Sequence, residues 1–199
     1  MNGMSEADIS KAFAEAIEKG DSSIFDACVT QISEFCFRES QPEQTAFPEH
    51  IFDHILELMS REEFLQMDGS HNLLLLFEYD WARLTAHQKE KLLEAIRKSY
   101  DRFTDGMSYF VISELLGEYY CNEAAFRVLT QLQTTSYETA RSLVPHGYEH
   151  IARDGESAAL RKMSLDRLAS MAKDDSPDVQ REVAEAFANI SAHQKKSNN

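Results

Sequence analysis

The stretch DDSPDVQREVAEAFANI, residues 174–190, determines the fold class of this chain. Ser176 can cap a helix, and Pro177 suits the first helical position. Apolar residues then recur at steps of three and four along one face of that helix: Val179, Val183, Ala186, Phe187 and Ile190. Because a helix cannot bury such a stripe alone, the pattern predicts neighbouring helices of the same kind.

The same helical period recurs along the rest of the chain. It predicts helices over about 5–19, 21–35, 48–59, 85–103, 108–119, 122–133, 137–154 and 157–173, with a polar loop at 38–47. Thr85 and Gln88 form a capping-box pattern. No stretch alternates convincingly at two residues, and 7 Gly and 4 Pro supply little turn chemistry for a many-stranded sheet. We therefore predict an all-α protein with one domain over residues 1–193 and a polar tail at 194–199. The last helix is expected to fray after Ser191.

Three stretches leave the helical pattern open to interpretation. Leu73 to Trp81 contains LLLLF, which fits a buried strand or a buried helix; the helical surroundings favour a helix. Pro145 is expected to kink or split the helix that contains it. The helix from Ser157 to Lys173 carries apolar residues on two sides, so we expect it to lie between two neighbours.

The C-terminal part resembles HEAT-like repeats over Leu143 to Ile190. In that family a proline-kinked first helix is followed by an acidic turn, a valine–arginine pair and a leucine seven residues after the arginine. One match consists of Pro145, Asp154, Leu160–Arg161 and Leu168, and another of Asp175, Val179–Gln180 and Phe187. Gln180 stands in place of the arginine, and Arg161 and Gln180 are 19 residues apart, half of a two-helix repeat. The resemblance implies a right-handed α-solenoid of degenerate helix pairs; an irregular helical bundle is the alternative.

The charge of the chain restricts its partners. Thirty-four acidic and 20 basic side chains give a formal net charge of −14. This argues against nucleic acid, because binding phosphates requires Lys and Arg, and it favours a basic protein attracted at long range. Three cysteines, Cys28, Cys36 and Cys121, show no metal-type spacing, and the chain shows no export signal and no membrane-length apolar run. We therefore expect reduced thiols, a cytoplasmic location and no membrane contact.

Two histidine pairs are the candidate metal ligands. HGYEH, residues 146–150, matches the H-x-x-E-H order of inverted zinc proteases, in which Glu149 would act as the base. His50 and His54 are also four residues apart but lack the accompanying glutamate order. Gly147 and Pro145 disturb the helix that would hold the ligands of the first pair, so we interpret both pairs as structural histidines. No catalytic-nucleophile or phosphate-loop motif is present, and we predict no cofactor, metal or catalytic residue.

Acidic side chains beside aromatic ones form two candidate partner-binding groups. The first contains Phe110, Glu114, Glu118, Tyr120 and Glu123, and the second contains Glu78, Asp80 and Trp81. Glu114 and Glu118 lie one helical turn apart beside Phe110 and away from the inward stripe, an arrangement that suits contact with a basic surface. The alternative is a solvated acidic face whose aromatics lie partly in the core.

Together these observations predict a non-enzymatic protein-binding module. Small size, strong acidity and missing catalytic motifs are typical of bacterial immunity proteins that neutralise a basic toxin, for example a nuclease. A HEAT-like scaffold or adaptor subunit is the alternative. A HEAT-like DNA glycosylase or a metal hydrolase is a more remote one, since the former requires a basic concave face that this composition does not favour.

Overall fold

The computed structural model describes residues 6–20, 23, 26–27, 30, 46–47 and 49–197. Every regular element in these ranges is helical, which confirms the predicted all-α class. None of the described helices combines the length and the apolar character needed to cross a bilayer. The chain divides into two compact units, Met1–Ser108 and Tyr109–Asn199.

The first unit contains five of the described helices and a short 3₁₀ helix. They are α1 (Glu6–Lys19), α2 (Glu49–Leu58), α3 (Glu62–Leu65), α4 (His71–Tyr79), the 3₁₀ helix Trp81–Arg83 and α5 (Ala86–Ser99). Gly20 follows α1 with φ of 62°, a left-handed conformation that suits the end of a helix. The predicted capping box is present at the start of α5, where Thr85 accepts from the Gln88 N–H and Gln88 accepts in return. The predicted helix from Asp21 and the loop at 38–47 fall almost entirely outside the described residues.

The apolar run LLLLF is helical, as predicted, and it supplies the centre of this unit. Leu73, Leu74, Leu76 and Phe77 of α4 are all buried. The Phe77 ring lies 5.7 Å from the ring of Phe52 and 6.3 Å from that of Phe47, measured between centroids. Residues on several sides of one short helix are buried together because packed partners surround it, which explains why the run shows no single stripe.

The second unit contains the remaining described helices. They are α6 (Gly106–Glu114), in which the boundary between the units falls, a π-helix (Leu115–Tyr120), α7 (Glu123–Leu132), α8 (Glu138–Asp154), α9 (Ala158–Met171) and α10 (Pro177–Ser197). Asn122 caps α7 by accepting from the Ala125 N–H, and Ser157 caps α9 by accepting from the Leu160 N–H. Ser176 accepts from the Val179 N–H at 3.4 Å, which confirms the cap read from the sequence.

The helix from Ser157 to Lys173, α9, contacts both α8 and α10, as predicted, but the helix with the most neighbours in this unit is α8. Helix α8 packs against the π-helix, α7, α9 and α10, whereas α9 buries only one face. Met163 of α9 is 45 % exposed. Single apolar side chains on a surface are normal, and in α9 their spacing in the sequence resembles that of a second buried face. The central role of α8 was hidden by the buried polar residues in its sequence, among them Glu149 and His150.

Helix α8 continues through Pro145 from Glu138 to Asp154, so the proline does not split it. The ring nitrogen cannot donate to the carbonyl one turn earlier. The turns on both sides are nevertheless held by burial, with Val144 and Tyr148 both fully enclosed. Packing therefore outweighs the local cost of the missing hydrogen bond.

Helix α10 presents the predicted stripe to the core of this unit. Val179, Val183, Ala186 and Ile190 are buried, and Phe187 is half-buried. Each fully buried large aliphatic side chain contributes about 2 kcal/mol relative to an exposed one. The helix extends to Ser197, so it is six residues longer than the predicted end at Ser191.

Candidate functional site

The first predicted binding group lies where α6 passes into the π-helix. Cys121 ends the π-helix in a left-handed conformation, with φ of 48°, and its N–H donates to the Leu116 carbonyl five residues earlier. Non-glycine residues with positive φ are uncommon and carry a conformational cost. Short π-helical segments occur frequently at functional sites.

Two histidines of α8 face the two glutamates of this segment. His146 Nε2 donates to a carboxylate oxygen of Glu114. His150 Nε2 lies 4.0 Å from the same oxygen, and His150 Nδ1 lies 3.5 Å from a carboxylate oxygen of Glu118. We call these four residues the Glu–His cluster. The sequence predicted Glu114 and Glu118 as partner-binding residues and noted His146 and His150 as a separate candidate pair, but it did not predict that the two pairs face each other.

The rings around the cluster hold one another in place. The Phe110 ring stacks on His146 with centroids 5.0 Å apart and an angle of 20° between the planes. The His146 and His150 rings meet edge to face at 4.8 Å. The aromatic side chain predicted to contact a partner therefore also supports the first histidine, and 37 % of Phe110 remains exposed.

Two glycines allow the π-helix and α8 to come this close. A Cβ atom on Gly117 would lie 2.6 Å from the Gly147 carbonyl oxygen and 2.8 Å from the Gly147 Cα. Real Cβ contacts essentially never fall below 3.0 Å. Gly147, which the sequence interpretation treated as a disturbance of the ligand-bearing helix, is thus the residue that lets this helix reach the glutamates.

The charges of the cluster are set by burial and by these contacts. The hydrogen bond from His146, together with its charge, lowers the pKa of Glu114 against the opposing effect of burial. Burial alone would lower the pKa of His146, but the hydrogen bond to Glu114 and the nearby carboxylates outweigh it, so that pKa is raised. The pKa of His150 is lowered by burial and by His146. Burial and the neighbouring Glu114 raise the pKa of Glu118. The structure therefore favours a charged His146–Glu114 pair beside a neutral His150.

Glu149, the base expected from the H-x-x-E-H order, has both carboxylate oxygens bound by other residues. It is buried, its Oε1 accepts from Arg153 at 2.9 Å, and its Oε2 accepts from Asn189 at 3.0 Å. A general base must reach a proton of the bound water or substrate. Glu149 is instead a buried anchor between α8 and α10, and the arrangement does not fit an inverted zinc protease.

The other predicted binding residues do not join the cluster. Tyr120 is half-buried at the end of the π-helix, and exposed Glu123 forms an ion pair with Arg127 at 2.6 Å. In the first unit, Asp80 is buried and ion-paired with Arg83 at 3.0 Å, so its carboxylate does not face a partner. Glu78 and Trp81 are half-buried, and Lys89 Nζ lies 4.5 Å from the centre of the Trp81 ring. Glu78, Asp80 and Trp81 therefore offer a partner much less exposed surface than the sequence predicts.

No protein-family model, curated protein or solved structure matches this chain.

Proposed function

We propose that this chain is a non-enzymatic binding protein that engages a basic protein partner through Phe110 and Glu118. The observation that carries the proposal is the exposed Phe110 ring, fixed against His146, with the half-exposed Glu118 carboxylate on the adjoining π-helix. An aromatic side chain that is already immobilised loses little conformational entropy on binding. Rigid aromatics next to charged groups are typical anchors of protein interfaces, and a partner's Arg or Lys can contact both the ring and the carboxylate.

The charge distribution supports a positive partner. Many described cations are already held by acids of the same chain, for example in the pairs Lys91–Asp53, Arg97–Glu94, Arg102–Glu62, Arg127–Glu123 and Lys162–Asp166. Acidic groups remain in excess, since the formal net charge is −14. Such a field accelerates the encounter with a basic protein, and the acceleration decreases with added salt.

Within this class we propose an immunity protein that neutralises a basic toxin such as a nuclease. In this proposal the carboxylates occupy positions that phosphates would take on the toxin, and Phe110 provides the desolvated anchor. The HEAT-like architecture belongs to the same proposal. It is supported by α8, α9 and α10, in which α8 packs against both following helices, and by the contact of Arg141 in α8 with Asp174 just before α10, at 2.9 Å.

The test compares bait variants rather than a single capture. Wild type, F110A, E118K and the control E185K are used to purify partners from the native host in buffer containing EDTA, which removes any contribution from metal ions. Glu185 is exposed on α10, so E185K makes the same charge change away from the Phe110 surface. We expect wild type and E185K to retain a basic protein, and F110A and E118K to bind it at least about 30-fold more weakly, the effect of losing an interface anchor worth about 2 kcal/mol.

The immunity assignment is tested with the captured protein itself. Its expression alone should stop growth of the host, and co-expression of wild type, but not of E118K, should restore growth. The association rate should decrease steeply with ionic strength. A captured protein that is harmless would favour the scaffold or adaptor role, whereas an acidic partner, or equal binding by all four baits, would contradict the proposal.

A further inference from the structure

We propose that Glu114, His146 and His150 bind one divalent transition-metal ion, with zinc as the best-fitting metal, and that Glu118 orients the His150 ring. This inference goes beyond the binding of a protein partner and does not depend on it. It concerns the same part of the second unit but a different chemical property.

The three side chains are suitable ligands in type and number. They supply two imidazole nitrogens and one carboxylate oxygen, a set that zinc uses in sites with three protein ligands and one position left for water. Mg²⁺ and Ca²⁺ prefer oxygen ligands only, so they should not compete effectively. Two histidines four residues apart on α8 also present both nitrogens from the same face of that helix.

The distances are compatible with a site that closes on the ion. One ligand atom from each residue lies within 4.8 Å of the others. Ligand atoms around a tetrahedral zinc are about 3.3 Å apart, as follows from bonds of about 2.0 Å. The widest separation therefore has to shrink by about 1.5 Å, which small side-chain rotations of two residues can provide. The Glu114 carboxylate must at the same time release its direct hydrogen bond to His146.

The backbone that carries the ligands is already fixed in position. The contact of Gly117 with Gly147 locks the π-helix against α8 between the two ligand-bearing faces. The ring of Phe110, stacked on His146, restricts the rotation of that imidazole. A site on packed helices requires little reorganisation when the ion binds, and this favours affinity.

Glu118 occupies the place of an outer-sphere partner. Metal-bound histidines usually donate their second ring N–H to a carboxylate, a carbonyl or water, which fixes the tautomer. His150 Nε2 points toward Glu114, and its Nδ1 faces the Glu118 carboxylate at 3.5 Å. The second glutamate of the cluster thus has a specific role in this site, whereas Glu149 has none because it is bound to Arg153 and Asn189.

The experiment is a calorimetric titration of the full-length chain, without a histidine tag and after EDTA treatment and dialysis, with ZnCl₂ and separately with MgCl₂. We expect one zinc ion per chain and no measurable magnesium binding. H150N and E114Q should each weaken zinc binding by at least tenfold, and E118Q by about tenfold, as for other outer-sphere partners. H54N removes a histidine of the other i,i+4 pair, and H87N removes an exposed one; both should leave the affinity unchanged.

Two further measurements keep the test decisive if a cluster variant fails to fold. In the wild type, zinc but not magnesium should raise the melting temperature, and the ring NMR signals of His146 and His150 should shift before those of other histidines. Failure of the wild type to bind zinc would overturn the proposal. Stoichiometric binding that persists in H150N, or that is lost in H54N or H87N, would also overturn it. A zinc result of either kind leaves the partner hypothesis untouched, because that hypothesis is tested in EDTA.

Discussion

Replacing Gly117 with alanine tests the close approach of the π-helix to α8. The added Cβ would lie 2.6 Å from the Gly147 carbonyl oxygen, and backbone atoms cannot rotate away as a side-chain end can. Overpacking of this kind costs about 3 kcal/mol at the upper end of the usual range. Alanine also favours helix over glycine by about 1 kcal/mol. The net expectation is a loss of about 2 kcal/mol in the free energy of unfolding.

The assay is thermal and urea denaturation followed by circular dichroism. For a chain of this size a loss of about 2 kcal/mol lowers the melting temperature by about 4–8 °C. The control is A188G on the exposed face of α10, which measures the helix preference alone and should cost about 1 kcal/mol. G147A should cost less than G117A, because its Cβ meets chiefly the Leu129 side chain, at 2.7 Å. A G117A protein that melts at or above the wild-type temperature would refute the close crossing and, with it, the geometry of the Glu–His cluster.

Three further predictions follow from the second unit. E114Q should lower the pKa of His146, as followed by NMR titration of the ring, because the hydrogen bond and the charge of Glu114 raise it. Because the pKa of His146 is raised in the folded state, its stabilisation is complete below the pKa of the unfolded state, near 6.5, and is lost as the pH rises through the pKa of the folded state. An unchanged titration of His146 in E114Q would show that the pair with Glu114 does not form. R141A should cost about 1.5–3 kcal/mol in urea denaturation, because the guanidinium makes charged, mostly buried hydrogen bonds to Asp174, and a cost below 0.5 kcal/mol, of the order seen for exposed pairs, would contradict this. Burial, with the nearby acidic groups, raises the pKa of Cys121 to about 11. In a variant whose other two cysteines are replaced by serine, alkylation of Cys121 should therefore be slow at pH 8 and should accelerate about tenfold per pH unit. Rapid alkylation at pH 8 would contradict the raised pKa.

Local rules predicted most of the helices because the signals are local. Caps, breakers and apolar spacing act within one or two turns, and they correctly located the start of α5 at Thr85, the cap of α10 at Ser176 and the break after α1 at Gly20. Even the ambiguous LLLLF run was resolved as a helix by its surroundings. The packing of one helix against another cannot be predicted in this way, because it depends on which helix faces meet and not on local signals. Met163 has the spacing of a core residue, yet 45 % of it remains exposed.

The two residue pairs of the Glu–His cluster could each be recognised in the sequence, but their contact could not be predicted, because it depends on helix packing. The spacing of Glu114 and Glu118 and the spacing of His146 and His150 are each visible in the sequence, but nothing in either pair indicates that the two face each other. A search for two complementary i,i+4 pairs, one acidic and one imidazole, would have found the combination without fixing its geometry. The motif H-x-x-E-H instead indicates Glu149, whose partner on α10, Asn189, lies 40 residues further along the chain.

The places where sequence-level rules fail in this unit are concentrated around that cluster. Pro145 lies inside a continuous helix, His150 is a buried polar residue, the π-helix departs from the regular helical hydrogen-bond pattern, and Cys121 adopts a left-handed conformation without being glycine. Each departure costs free energy of folding that a regular helix would not. Natural proteins tend to keep such features where a function depends on the local geometry. Three of these four departures, all except His150, involve residues outside the proposed ligand set. The concentration of these departures at one helix crossing is a further physical reason to expect the function of this protein to depend on Gly117, Gly147 and the side chains around them.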